Sequence, residues 1–264
     1  MNPAVTSWLP TAFTLCLCIP VMAQTAPSDK DLLTKTRGLY DAPFAGNLVS
    51  FDCAVQFDWE KHISDLLGTV PPGGMTLAEH LQPISHRVFV DRSGAFVSAQ
   101  PKEPDLSEVA HGAEIEHAFS TMLSGGLNGW LPFARNIILP VGPTTYRFKK
   151  ISTGYDVMLK GPNMDATLTL QSDMRLTKGL TVLPEVISFT TTFIPGPNGY
   201  LLQSITTNPG TINEAIFSYT YQNVSDVQIP SQVTVTPASR EVWRYSLTDC
   251  KVMRGVTVHV GPPK

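Results

Sequence analysis

The side chains that could carry out acid–base or metal chemistry are few and scattered along the chain. Glu114 and His117 form a Glu-x-x-His unit, which ligates iron in helical bundles when a second copy supplies the remaining ligands. The chain has no second copy, and the six-residue spacing of His111 and His117 places these two side chains on different faces of a helix. We therefore expect no metal and no cofactor. The histidines are His62, His80, His86, His111, His117 and His259.

Enzyme motifs also fail to appear. The chain contains no Gly-x-Ser-x-Gly elbow, no Gly-Lys-Ser/Thr phosphate loop and no His-Glu-x-x-His zinc helix. Asp105 and Glu108 have the spacing of a helix capping box, so we interpret them as cap groups and not as a general acid and base. The sequence predicts a protein that is not an enzyme. A dispersed active site would need titratable groups, such as His111, Glu114 and His117, to converge in a cleft.

The first residues indicate export. Residues 1–23 carry no charged side chain, and the mostly apolar run ends in Val21, Met22 and Ala23. Small residues three and one positions before a break are typical of a signal peptide, so we predict cleavage after Ala23. The apolar run is too short, and too interrupted by proline, for a membrane-spanning helix. We expect a periplasmic or secreted protein with a single domain over 24–264.

The cysteines extend this prediction. Cys16 and Cys18 lie inside the signal and would be removed with it, which leaves Cys53 and Cys250. An even number of cysteines in an exported protein predicts a disulfide, and two separate buried thiols are the alternative. The Cα atoms of bridged cysteines lie only about 4.4–6.8 Å apart. A bridge would therefore place the first long strand, 47–57, beside the last, 242–252.

Alternation of apolar and polar side chains dominates 143–246. Tyr146 and Phe148, for example, alternate with Arg147 and Lys149, which is the pattern of a strand with one buried face. Turn residues rich in glycine, proline and asparagine separate the runs at regular intervals, which favours consecutive hairpins. The fold class we predict is β-dominated α+β, with a curved antiparallel meander, or half-barrel, packed over a few helices.

The helices are expected mainly before this meander. Ser28–Asp31 predicts a helix start, and shorter helices follow at 59–67 and 75–81. A hairpin is expected over 84–99, with its turn at 91–94. A longer helix should begin at Asp105 and end at Gly125 and Gly126. The apolar segment 127–139 comes next and either packs as core or forms a flap over a cavity.

A sheet rich in inward-facing aromatic side chains needs a cover, and the helical stretches between Asp105 and Leu139 are the long ones available. Helices on a curved sheet either pack solidly or leave an apolar pocket between the layers. The predicted lining of that pocket has two parts. The helical part is Trp130, Leu131, Phe133, Ile137 and Ile138, and the sheet part is Tyr146, Phe148, Tyr155, Phe189, Phe193, Phe217 and Tyr219.

Three features resemble the periplasmic lipoprotein-carrier (LolA/LolB-like) superfamily and its outer-membrane lipoprotein-sorting relatives. The first is the order of signal peptide, helix and strand, middle helices and antiparallel meander. The second is residues 217–224 (FSYTYQNV) followed by 227–235 (VQIPSQVTV), which are similar to a late strand–turn–strand element of that family. The third is the preceding strand at 199–202. The resemblance implies an incomplete barrel, lidded by helices, that holds acyl chains.

The balance of charge narrows the possible partners. Nineteen basic residues against 22 acidic ones leave no basic surplus that would favour nucleic acid. Together with the resemblance, this predicts a monomeric binding protein for an acyl chain, lipid or lipoprotein, with transient membrane or membrane-protein contact. The alternative is a structural or interaction module with a filled core and no ligand.

Overall fold

The structure is a computed structural model that describes residues 27–67, 72–101, 106, 111–135, 145–161, 165–181, 186–239 and 241–255. The predicted signal peptide, the capping residues Asp105 and Glu108, and the predicted site residues Ile137 and Ile138 lie outside these ranges.

Within the described ranges the chain forms four helices and twelve strands. The helices are α1 (Asp29–Arg37), α2 (Trp59–Leu67), α3 (Pro72–Leu81) and α4 (Gly112–Ala134). The strands are β1 (Leu48–Gln56), β2 (Ser85–Asp91), β3 (Ala95–Gln100), β4 (Thr145–Ile151), β5 (Gly154–Lys160), β6 (Asp165–Gln171), β7 (Leu176–Thr181), β8 (Ile187–Gly196), β9 (Gly199–Thr207), β10 (Ala215–Val224), β11 (Val227–Thr236) and β12 (Trp243–Arg254).

All twelve strands belong to one antiparallel sheet, in the order β3-β2-β1-β12-β11-β10-β9-β8-β7-β6-β5-β4. Strands β4 to β12 follow one another as a meander, and β12 then pairs with β1. The prediction of a β-dominated α+β protein with an antiparallel sheet is confirmed. Strands β3 and β4 are the two edges of the sheet.

Alternating side chains give this sheet one apolar face. In β5, Val157 and Leu159 are buried while Met158 and Lys160 are exposed, and Val157 lies opposite the buried Leu168 of β6. Successive side chains of a strand point to opposite faces, so these residues separate an apolar face from a solvated one. We call the face against which α1 and α4 pack the inner face.

A capping box starts α1, as the sequence predicts. The Ser28 hydroxyl accepts a hydrogen bond from the Asp31 N–H, and the Asp31 carboxylate accepts one from the Ser28 N–H, each at 3.2 Å. These bonds satisfy backbone donors that a helix start would otherwise leave unpaired. The helix then buries Leu32 and Leu33 against the sheet.

Helix α4 corrects the prediction that a helix ends at Gly125 and Gly126. It continues through both glycines, and through Pro132, to Ala134. A Cβ atom on Gly126 would lie 2.6 Å from the Tyr245 hydroxyl oxygen and 3.0 Å from a methyl carbon of Val233. Gly126 therefore lets the helix backbone approach β11 and β12 closely, and the sheet contact outweighs the low helix propensity of glycine.

The predicted disulfide is present between Cys53 of β1 and Cys250 of β12. Their Cα atoms are 4.1 Å apart across 197 residues of sequence. The two strands pair on either side of the bridge, for instance Val55 with Leu247 and Phe51 with Val252. The first and last long strands are therefore neighbours, as the cysteines indicate.

Candidate functional site

The helical part of the predicted cavity is packed against the sheet. Trp130, Leu131 and Phe133 are all buried, the most exposed of them at 7%. The Trp130 ring meets Phe44 and Phe51 edge to face, with ring centroids 6.1 and 6.0 Å apart. These side chains fill the space between α4 and the sheet, as core residues do.

Tyrosine hydroxyl groups fasten α4 to the sheet at the same place. The Tyr219 hydroxyl donates to the Gly126 carbonyl oxygen at 2.8 Å, and the Tyr245 hydroxyl donates to the Leu123 carbonyl oxygen at 2.9 Å. Burial raises the pKa of both hydroxyl groups, so they stay neutral donors. Tyr219, one of the predicted lining residues, therefore acts as an anchor of α4.

The remaining predicted residues of the sheet are only half-buried. They lie on the inner face, and Phe148 and Tyr155 make an edge-to-face contact with ring centroids 6.2 Å apart. Phe193 packs between Tyr40 and Phe133, at 5.0 and 5.9 Å. Six aromatic side chains thus keep part of their surface in contact with solvent: Tyr146, Phe148, Tyr155, Phe189, Phe193 and Phe217.

Gly179 makes room for one of these rings. A Cβ atom at this position would overlap the ring of Phe189 and would lie 2.8 Å from a methyl carbon of Leu168. Gly179 pairs directly with Phe189 across β7 and β8. The phenylalanine ring therefore lies over the backbone of β7, and any residue larger than glycine at position 179 would displace it.

A large cleft lies in another part of the molecule, where the sequence predicts no site. Its volume is about 1360 Å³, and it is formed by α2, α3 and the neighbouring ends of β1, β2 and β12. Phe57, Trp59 and Phe119 lie in its wall. Trp243 packs against all three of these rings, with centroids between 5.8 and 6.3 Å away. Part of the cleft wall is therefore aromatic.

Two histidines line the same cleft, and each is held by a glutamate. His62 Nε2 lies 3.0 Å from Glu241 Oε1, and the His62 side chain is 8% exposed. His86 Nε2 lies 3.2 Å from Glu116 Oε1, and its side chain is 3% exposed. Ser120 donates a further hydrogen bond to that Glu116 oxygen, at 2.9 Å.

Sequence reasoning missed both pairs because the partners are 179 and 30 residues apart. One local signal was present for His86, which shares its strand face with the buried Val88 and Val90. No comparable signal exists for His62, because its glutamate follows β11 at the far end of the chain.

The histidines that the sequence singled out do not gather in this cleft. His111 Nδ1 and Glu114 Oε2 form a pair at 3.2 Å, but both side chains are more than 70% exposed. His117 is also exposed, and it does not line the cleft. Across the described ranges, no group of three or more histidine, cysteine, aspartate and glutamate side chains is arranged to hold a metal ion.

Comparisons with known proteins give no further assignment. Protein-family models, curated proteins and solved structures were each searched, and none matches the chain. The similarity to the lipoprotein-carrier superfamily therefore stays a prediction. In the part of the chain that the structure describes, none of the helices combines the length and apolarity needed to cross a bilayer.

Proposed function

We propose that this chain is an exported, non-enzymatic binding protein that holds an acyl chain against the inner face of a half-barrel sheet. The acyl chain would belong to a lipid or to a lipoprotein. The observation that supports the proposal is the set of half-buried aromatic side chains on the inner face of β4, β5, β8 and β10. Large aromatic side chains in a filled interior are normally covered, so this surface is available to an apolar ligand.

The packing of α4 limits where the ligand can lie. Trp130, Leu131 and Tyr219 already fill the space beneath the helix. The acyl chain would therefore lie towards β4 and β5, beside Tyr146, Phe148 and Tyr155. Each methylene that leaves water contributes about 0.8 kcal/mol, so eight would contribute roughly 6 kcal/mol before the cost of association.

The disulfide supports export. Cys53 and Cys250 are joined, and such bonds persist in the periplasm or outside the cell, whereas cytosolic thiols stay reduced. An exported protein with half-buried aromatic side chains on one sheet face suits transient contact with a membrane or with a membrane protein. A signal peptide cleaved after Ala23, a monomeric state and the lack of enzymatic activity belong to the same proposal.

Lipid binding can be tested directly. The protein is purified, its bound lipid is extracted and identified by mass spectrometry, and a dansyl-labelled undecanoic acid is then titrated into the delipidated protein. We expect saturable binding that Phe148→Ala weakens about tenfold, because a ring of this size contributes about 1.5 kcal/mol or more when covered. Met158→Ala is the matched control, since Met158 is exposed on the opposite face of β5.

The proposal fails if the dansyl fatty acid does not bind, or if Phe148→Ala and Met158→Ala have equal effects. Circular dichroism and thermal midpoints of both variants show whether Phe148→Ala still folds. Tyr155→Ala, on the neighbouring strand, provides a second measurement if it does not.

A second candidate is a structural or interaction module without a ligand. It is favoured by the solid packing under α4 and by two exposed aromatic side chains next to the sheet edge. Phe89 of β2 and Phe96 of β3 are 42% and 52% exposed, with ring centroids 6.4 Å apart. Edge strands offer unpaired backbone groups to another chain. This candidate predicts that no lipid is extracted and that the dansyl fatty acid does not saturate.

A further inference from the structure

The cleft between α2, α3 and β12 has a charge pattern that the proposed acyl site does not use. Among the described residues of its wall, the acidic side chains outnumber the basic ones. Lys61 is already paired with Asp65 at 3.1 Å, which leaves Arg244 as the remaining cation of that described lining. The carboxylates are those of Asp58, Glu60, Asp65, Glu79 and Glu241.

The two buried histidines add acceptors to these carboxylates. Glu241 and Glu116 each bond to the Nε2 atom of their histidine, and no described residue bonds to the Nδ1 atom of His62 or His86. A carboxylate can only accept a hydrogen bond, so in a neutral ring Nε2 carries the proton and Nδ1 is an acceptor. Both histidines are more than nine-tenths buried and line the cleft.

Apolar surface lies beside these acceptors. Phe57 is half-buried in the wall, and Val242 at the rim is 46% exposed. The ring of Phe57 lies between His62, at 5.2 Å, and Phe119, at 4.5 Å. A ligand that reaches the imidazole of His62 would therefore also contact an apolar surface.

We propose that this cleft binds a primary ammonium ion that carries an apolar chain. The ammonium group is a compact cation with three N–H donors, and it matches a wall in which carboxylate oxygens and imidazole nitrogens are the acceptors. A carboxylate ligand would face like charge, and a quaternary ammonium would have no proton to donate. The clustered negative charge also raises the local concentration of cations at the mouth.

The site is separate from the proposed acyl site. The residues of the cleft lie on α2, α3, β1, β2 and β12, whereas Phe148 and Tyr155 lie on β4 and β5, at the other end of the sheet. Amine binding in the cleft can therefore be tested independently of acyl binding.

Three probes with an eight-carbon chain distinguish the possible ligands at pH 7, where a primary alkylamine is protonated, as lysine is. Octylamine, octyltrimethylammonium and octanoate are titrated by calorimetry, with tryptophan fluorescence as a second signal because Trp59 and Trp243 lie in or against the cleft wall. We expect octylammonium to bind at least tenfold more tightly than octyltrimethylammonium, and octanoate not to bind. Equal affinities for the two cations, or tighter binding of octanoate, would overturn the proposal.

Charge-neutralising variants test whether octylammonium binds in the cleft. Glu241→Gln should weaken octylammonium binding at least fivefold, because it removes a lining charge while the amide oxygen can still accept the hydrogen bond from His62. Glu79→Gln should also weaken it, and because Glu79 is an exposed lining residue, this variant keeps the fold intact. Glu114→Gln removes the same charge from an exposed position outside the cleft and should leave binding unchanged.

An equal effect of Glu114→Gln and the two cleft variants would show that octylammonium responds only to net charge, which contradicts the proposal. Phe148→Ala, which lies outside the cleft, should bind octylammonium as the unchanged protein does. Loss of octylammonium binding in that variant would assign the amine to the acyl site instead.

Discussion

The inner face of the sheet is covered in two different ways. Over β10 to β12, α4 lies close to the strands, and the hydroxyl groups of Tyr219 and Tyr245 donate to helix carbonyls. Towards β4 to β8, α1 and the segment after it provide cover, and the Tyr40 hydroxyl accepts a hydrogen bond from the Leu176 N–H of β7 at 2.7 Å. The first region is filled apart from the half-buried Phe217 of β10, while the second leaves five aromatic side chains half-buried: Tyr146, Phe148, Tyr155, Phe189 and Phe193.

This difference shows that a single sheet can be closely packed under one helix and leave aromatic surface uncovered elsewhere. A helix can touch a sheet closely only where small residues remove the side chain between them, as Gly126 does. Fully covered aromatic side chains then become core. Towards β4 to β8, where α1 packs, rings such as Phe148 stay half-buried and keep free surface.

Of the changes considered, removing the disulfide should lower the free energy of unfolding most. The bridge joins β1 and β12, and β12 belongs to the filled region. The double variant Cys53→Ser, Cys250→Ser should lose about 5 kcal/mol of unfolding free energy in the chain-entropy model, since the bridge closes a very long loop. Urea unfolding of the oxidised protein and of the variant measures the loss. A loss below about 1 kcal/mol would contradict the assignment of this bond as the main clamp.

Hydrogen exchange then shows whether the loss of stability in the double variant is confined to the strands that the bridge joins. We expect the amides of β1 and β12 to exchange faster in the double variant, with a smaller change in β5 and β6, because local opening follows the weakened region. The reduced unchanged protein serves as the control for the serine substitutions. Uniform acceleration over the whole sheet would mean that the two regions open together.

The Tyr40 hydroxyl anchors the second region and predicts sensitivity to high pH. Burial raises the pKa of Tyr40 to about 12, whereas an unfolded tyrosine titrates near 10. Folding favours the neutral phenol, so its contribution is complete below about pH 10 and is lost as the pH rises towards 12. The difference between the folded and unfolded pKa values corresponds to a contribution on the order of 3 kcal/mol.

Tyr40→Phe isolates this contribution from that of the other buried tyrosines. At pH 8 the variant should be less stable by about 1–3 kcal/mol, because the Leu176 N–H loses its partner. The difference between the two proteins should shrink between about pH 10 and 12, when the unchanged protein loses the contribution of Tyr40. Unfolding free energies of both proteins at pH 8, 10 and 11.5 measure this stability difference. A difference that stays constant with pH would contradict the raised pKa of Tyr40.

Alanine substitutions at the adjacent glycines of α4, Gly125 and Gly126, should give the smallest changes in stability, and the two variants are closely matched. Gly126→Ala should destabilise the protein by about 1–3 kcal/mol, because the added methyl meets Tyr245 and Val233 and overpacks the contact. Gly125→Ala should stabilise it by about 0.5–1 kcal/mol, because a Cβ atom there meets nothing within 4 Å and alanine favours the helix. Thermal and urea unfolding measure both, and equal effects would show that α4 does not approach the sheet closely at Gly126.

Helix α4 also shows where prediction from the sequence fails. Two consecutive glycines are typical of a helix end, and local propensity alone predicts a break at this point. The helix continues because its backbone rests on the side chains of β10, β11 and β12, and distant strands supply that contact. The described part of the apolar segment, 127–134 with Trp130 and Phe133, is accordingly the second half of one packed helix, which matches the core alternative.

Local rules succeeded elsewhere in the chain. The capping residues Ser28 and Asp31 start α1 as predicted, and α2 has the predicted bounds, Trp59–Leu67. The hairpin of β2 and β3 turns at the predicted residues, 91–94. Each of these features depends on neighbours within a few residues, which the sequence displays directly.

By itself the sequence determined the antiparallel strands, the first helix start and the pairing of Cys53 with Cys250, because alternation, capping and an even number of cysteines are local or countable. Only the tertiary structure decided which aromatic side chains are filled core and which keep free surface. It also created the cleft, where His62 meets Glu241 and His86 meets Glu116. These contacts join residues from distant parts of the chain, and their distances follow from how the sheet and helices pack.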